Sequence, residues 1–196
     1  MHMQVQILPP ALKLFKMHGT IICMPNNFYR QLGIGISSLT FGVALSIFIY
    51  AVASGIAVSI QAWLLLATSF LLMLRFWWRY NELFVQFLPS RSFWHFLFDF
   101  LVSFFGILAV LYVSNIQAWA AAGMLAMLSS AARCSLSWKD AKAVKPRLKR
   151  TLFGAIAMLV IMAVIYSLAP VVEQVLLAEA ILIVVLIFVV YSSRKV

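Results

Sequence analysis

Six apolar stretches, at 33–57, 59–78, 93–113, 117–133, 152–169 and 171–191, take up most of the chain beyond its first 32 residues. Each falls within the roughly 17–25 residues that a helix needs to cross the hydrocarbon core of a bilayer. Charges, prolines or turn signals interrupt the pattern between stretches, so six helices account for it better than five or seven. Composition agrees: 65% of the residues are hydrophobic and 10% charged, against about 45–50% and about 25% in soluble domains. An ordinary water-soluble globule is excluded. The expected fold is an all-α integral membrane protein with six transmembrane helices in one domain, 33–193, flanked by a tail at 1–32 and a short C-terminus at 194–196.

The basic residues fix the expected orientation. Lys13, Lys16 and Arg30 precede span one, and Arg75, Arg79 and Arg91 lie around the junction of spans two and three. Arg133, Lys139, Lys142, Lys145, Arg147, Lys149 and Arg150 come between spans four and five, and Arg194 and Lys195 end the chain. In a six-span threading all fifteen fall on one side, which the positive-inside rule makes cytoplasmic. This predicts a multi-pass protein of the cell membrane with both termini in the cytoplasm. The net charge of +10 then belongs to membrane-facing loops rather than to nucleic-acid binding. In the basic loop at 134–151, Lys139, Lys142, Lys145, Arg147, Lys149 and Arg150 are expected to rest on anionic lipid headgroups. Cys23 and Cys134 form no CxxC pair and read as free thiols on the reducing side.

The tail lacks the unbroken apolar core of a signal peptide. It reads as cytoplasmic chain with one short helical turn at 12–17, and Met24, followed by Pro25, Asn26 and Asn27, is an alternative start. Ile60-Gln61-Ala62-Trp63 at the start of span two recurs as Ile116-Gln117-Ala118-Trp119 at the start of span four, 56 residues on. A further step of similar size lands on Glu173-Gln174. The spacing suggests three successive helical hairpins, although a polar turn residue followed by an interfacial Trp is also a common way to enter a membrane.

Ionisable groups inside a bilayer are costly and therefore mark candidate sites. Asp99 lies about two turns into span three with His95 four residues before it on the same helix face. Arg75, Arg79 and Arg91 share that membrane level, so Asp99 is expected to pair with His95 or Arg75, either as an interhelical pin or as part of a proton or ion pathway. Glu173 and Glu179 belong to span six, and Glu179 is the deepest acid of the outer half, with no cation in any outer turn. It must be protonated or border water. Gly35, Ser38, Gly42, Ser46 and Ala53 form a stripe of small side chains along span one, suited to close helix packing or, through Ser38 and Ser46, to a narrow polar wall. Span four is similarly rich in small residues and is its expected partner.

The segment Arg75-Phe76-Trp77-Trp78-Arg79-Tyr80-Asn81-Glu82-Leu83-Phe84 joins aromatic anchors to charge at a cytoplasmic boundary. It resembles the end of the second helix in prokaryotic relatives of the lysosomal six-helix potassium channels. Their first-helix motif, Arg followed by Phe-Ser-Asp, is not matched, because Arg30 is followed by Gln31-Leu32-Gly33. The resemblance implies a potassium-channel-like protein lacking that acidic motif, and it transfers no functional residue.

No Lys lies in any span, no Arg recurs at every third position, and no Thr-Val-Gly-Tyr-Gly filter or phosphate-binding Gly-rich loop occurs. These absences argue against a retinal protein, a voltage sensor and a nucleotide-driven pump. No catalytic constellation, metal set or cofactor site is visible, so an enzyme is not expected. The sequence points to a small-solute or ion channel or transporter, built as a homo-oligomer, with Glu179, Asp99, His95, Ser38 and Ser46 on its pathway. The alternative is a non-catalytic subunit or assembly factor of a larger membrane complex.

Overall fold

The computed structural model describes residues 13–17, 20–24, 26–88, 93–142 and 144–193. Strands β1 (Lys13–Met17) and β2 (Thr20–Met24) pair antiparallel, with Phe15 opposite Ile22. Within the stretch 12–17, where a helical turn is expected, Lys13–Met17 is a strand. A helix this short is marginal in water, whereas the β-branched Thr20, Ile21 and Ile22 favour a strand and offer Lys13–Met17 a partner. Residues 1–12 and 194–196 of the two expected tails lie outside the described residues.

Six α-helices follow: α1 (Asn26–Ala53), α2 (Ile60–Arg79), α3 (Phe93–Leu111), α4 (Ile116–Leu136), α5 (Lys145–Leu168) and α6 (Gln174–Ser193). A π-helical turn, Tyr80–Val85, continues α2. Helix α1 stops short of the expected 57 because the chain turns at Gly55, whose φ of 68° belongs to the left-handed region open to glycine. Helix α4 runs past the expected end at 133 to Leu136. Helix α5 begins within the expected basic loop, since Pro146 occupies its first turn, where a missing N–H costs nothing. Lys145, Arg147, Lys149 and Arg150 thus stand on helix rather than loop.

Three helical segments, Ile60–Val85, Phe93–Leu111 and Lys145–Leu168, are long and apolar enough to cross a membrane, and Phe41–Ala53 and Gln174–Val190 are shorter apolar runs. Helix α4 is the central one. Its Ala120, Ala122, Gly123 and Ala126 are buried, and α3 and α5 pack along its two sides. A methyl group at Gly123 would lie 3.1 Å from the Met162 sulfur of α5, a contact tight enough that Met162 would have to shift by a few tenths of an ångström. Of the three expected hairpins, α3–α4 is the extensively packed one, whereas α1 and α2 meet at fewer places, among them the ring pairs Phe41–Trp77 and Phe48–Phe70. Helix α6 lays Leu177, Ala178, Ile181 and Val185 mainly toward α2, while α1 leans chiefly on α3. Buried faces decide these neighbours more than chain order does.

The small-residue stripe of α1 does not meet α4. Gly35, Ser38, Gly42, Ser46 and Ala53 are all exposed, and a methyl group at Gly35 or Gly42 would touch nothing within 4 Å.

Candidate functional site

Helix α3 buries Asp99 one turn after the half-buried His95, and both carboxylate oxygens are engaged. Arg133 of α4 donates from Nε to Oδ1 at 2.9 Å, and the Tyr80 hydroxyl donates to Oδ2 at 3.0 Å. The remaining guanidinium nitrogens are also used: one donates to the Ser137 hydroxyl, the other to the Leu88 carbonyl at 3.1 Å. The Arg133 guanidinium also lies 4.5 Å from the centre of the Phe84 ring. Asp99 is 6% exposed and Arg133 2%. A buried pair is tolerated when its spare donors and lone pairs are satisfied, and this one meets that condition. The π-helical turn contributes by carrying Tyr80 and Phe84 on the buried side of the chain leaving α2.

Beside this network lies a cavity of about 90 Å³ bounded by α1 to α5. Its wall follows α2 from Ser69 to Tyr80, about 16 Å of helix. The lining is predominantly apolar and includes Phe41, Trp77, Trp119 and Met162. Trp119 donates its indole N–H to the Ser69 hydroxyl at 2.8 Å, and Ser69 donates onward to the Leu65 carbonyl at 2.8 Å. Ser103 donates to the Asp99 carbonyl at 3.3 Å. Trp77 stacks on Phe41 with ring centres 4.7 Å apart, and its indole nitrogen is buried with no hydrogen-bond partner among the described residues.

Beyond the partners expected for Asp99 on its own helix and on α2, the structure adds Arg133 and Tyr80. Arg133 turns inward to the acid instead of reaching for the membrane surface, because Asp99 and the Leu88 carbonyl offer it partners inside the bundle. Arg79 instead pairs with Glu82 at 2.8 Å, and Arg147 approaches the same carboxylate at 3.7 Å. Arg91 lies outside the described residues. Ser46 donates to the Gly42 carbonyl of its own helix at 2.9 Å, and Ser38 is exposed. Glu179 is exposed on α6, away from the cavity wall. Of the residues proposed from sequence as one pathway, Asp99 lines the cavity and His95 lies one turn before it on α3, while Glu179, Ser38 and Ser46 are not part of the cavity lining.

Lys139, Lys142, Lys145, Arg147, Lys149 and Arg150 are exposed. Lys145 lies over the Trp138 ring at 5.3 Å and Arg147 over Phe87 at 5.7 Å. Cys134 is a free, buried thiol. Sequence reasoning missed Tyr80, Ser137, Ser69 and Trp77. A signal for Arg133 existed, a lone cation among small residues near the end of span four.

No protein-family model, no curated protein and no solved structure matches this chain.

Proposed function

We propose that this chain is a six-span, non-catalytic subunit of a membrane assembly, with both termini and the Lys139–Arg150 region at the cytoplasmic face. Bilayer residence is supported by the outward faces, which expose Leu39 and Ile49 on α1, Phe100 and Phe104 on α3, Phe153 and Val160 on α5, and Ile183 and Ile187 on α6. A soluble monomer rarely exposes so much contiguous apolar surface. Orientation rests on the one-sided distribution of cations, whose exposed Lys and Arg side chains suit an anionic leaflet.

The observation that carries the subunit reading is Glu179. It lies on the exposed side of α6 with Leu176, Ile183, Ile187 and Val190 at helical spacing, and it has no ion-pair partner among the described residues. A carboxyl group on a lipid-facing surface is costly, and a neighbouring helix offering a donor removes that cost. The uncovered small residues of α1 are a second such face, since small side chains serve close helix contact in lipid.

Gentle extraction of the full chain, followed by sizing and mass spectrometry, tests this reading. Co-migration with a chain of different sequence, weakened by Glu179→Leu, is the expected result; a lone monomer in every mild detergent overturns it.

The cavity favours a second reading, a small-solute or ion conduit in a homo-oligomer. It requires flux in liposomes that changes in Asp99→Asn or Glu179→Gln. Equal flux in parent and both variants removes it.

A further inference from the structure

We propose that Arg79 and Arg147, which meet on the Glu82 carboxylate, form with Arg75 a discrete binding site for a phosphate diester, carried by an anionic phospholipid of the cytoplasmic leaflet. The assignment rests on the bilayer residence and orientation proposed above, not on the subunit reading. It narrows the attraction of the whole basic region to one place.

The chain cannot neutralise its own cations at this end. It has fifteen Lys and Arg against five acids. Asp99 is held inside the bundle by Arg133 and Tyr80. Glu173 and Glu179 follow the far end of α5, and about 30 Å of helix separates Glu173 from Arg147. Glu82 and Asp140 are left to serve the remaining cations. Helix α5 sharpens the need: Lys145, Arg147, Lys149 and Arg150 crowd its first two turns with no acid in the first, although the positive end of a helix dipole repels cations.

Two of these cations converge. Arg79 donates to Glu82 Oε2 at 2.8 Å, and Arg147 stands 3.7 Å from Oε1, an ion pair too long for a hydrogen bond. The Arg147 side chain is half exposed and lies over the Phe87 ring at 5.7 Å. Its planar fork of donors suits two phosphate oxygens at once. Arg75, one turn before Arg79 on the same face of α2, lies within electrostatic reach of both Arg79 and Glu82. Three guanidiniums about one carboxylate make the cluster attractive to an anion.

The neighbouring rings point to lipid as the source of that anion. Trp78 is 60% exposed and Phe87 46%, and exposed aromatic rings beside cations suit the headgroup level of a bilayer. Phosphate dissolved in water gains nothing from such rings, whereas a lipid packs its glycerol and upper acyl chain against them.

Native mass spectrometry of the full chain in neutral detergent, titrated with phosphatidylglycerol at about 0.15 M salt to screen distant charges, tests the assignment. One saturable lipid adduct is expected. Arg79→Gln with Arg147→Gln should weaken it about tenfold or more, the worth of one or two charge-assisted hydrogen bonds. Lys139→Gln with Lys149→Gln removes the same charge, with Lys149 about 200° around α5 from Arg147, and should change it less than about threefold. If the first double variant does not fold, Arg147→Gln alone decides, with an expected loss of about fivefold. Excess inorganic phosphate should leave the adduct in place. Equal weakening by the two double variants, an unsaturable spread of adducts, or displacement by inorganic phosphate would each overturn the site while leaving bilayer residence intact. A chain that stays dispersed in plain buffer without detergent would overturn both.

Discussion

Asp99 and Glu179 are both carboxylates on long apolar helices, yet their surroundings are opposite. Asp99 is enclosed by α2, α3 and α4, and its two oxygens accept from Tyr80 and Arg133. Glu179 stands on an exposed apolar face of α6. The first acid is completed by its own chain and so serves folding. The second gives the isolated chain nothing, and its use has to lie outside it.

Breaking this contrast most severely means removing the cation. Arg133→Met strands the Asp99 carboxylate, and about 3–5 kcal/mol of stability should be lost, as is usual when one partner of a buried pair is deleted. Denaturant unfolding in mixed micelles measures this, and the double variant Arg133→Met with Asp99→Asn should recover a large part of it. Tyr80→Phe leaves the pair but takes one donor from an ionised acceptor, and should cost about 2 kcal/mol in the same assay. Trp119→Phe removes a neutral hydrogen bond to a serine that keeps its bond to Leu65, with an expected loss of about 1 kcal/mol. Glu179→Gln sharpens the contrast from the other side. Unfolding of the isolated chain should stay within about 0.5 kcal/mol, as for surface changes generally, while recovery of co-purifying chains falls. A stability loss as large as that of Tyr80→Phe would place Glu179 among the folding determinants and erase the distinction.

How far the fold was legible follows from what each signal encodes. The repeated Ile-Gln-Ala-Trp is instructive. Both copies begin a helix, and each is capped in the same way: the Ser59 side chain accepts from the Ala62 N–H, and the Asn115 side chain accepts from the Ala118 N–H. Beyond the cap they diverge, since Trp63 is 48% exposed and Trp119 1%. The motif encodes where a helix starts, a local property, and says nothing about which way the helix faces. The same limit explains the acid. Burial of Asp99 was readable from an isolated charge in an apolar run, but its partner lies 34 positions away on another helix. Sequence spacing favours i,i+4 neighbours such as His95, whereas the cross-helix partner depends on how α3 and α4 are rotated against each other. In the basic segment, charge dominates the composition and hides the helix that starts at Lys145, which Pro146 marks, while Lys139 and Lys142 do lie outside any helix.

The π-helical turn at Tyr80–Val85 gives the bundle a sensitivity to chain length. Each residue of helix advances the side chains by about 100°, so deleting one residue between Arg79 and Phe84 would swing Phe84 out from under the guanidinium and leave Leu88 out of register with it. Point changes at neighbouring surface positions would do far less. A one-residue deletion here would displace several members of the network at once, where a single substitution displaces one.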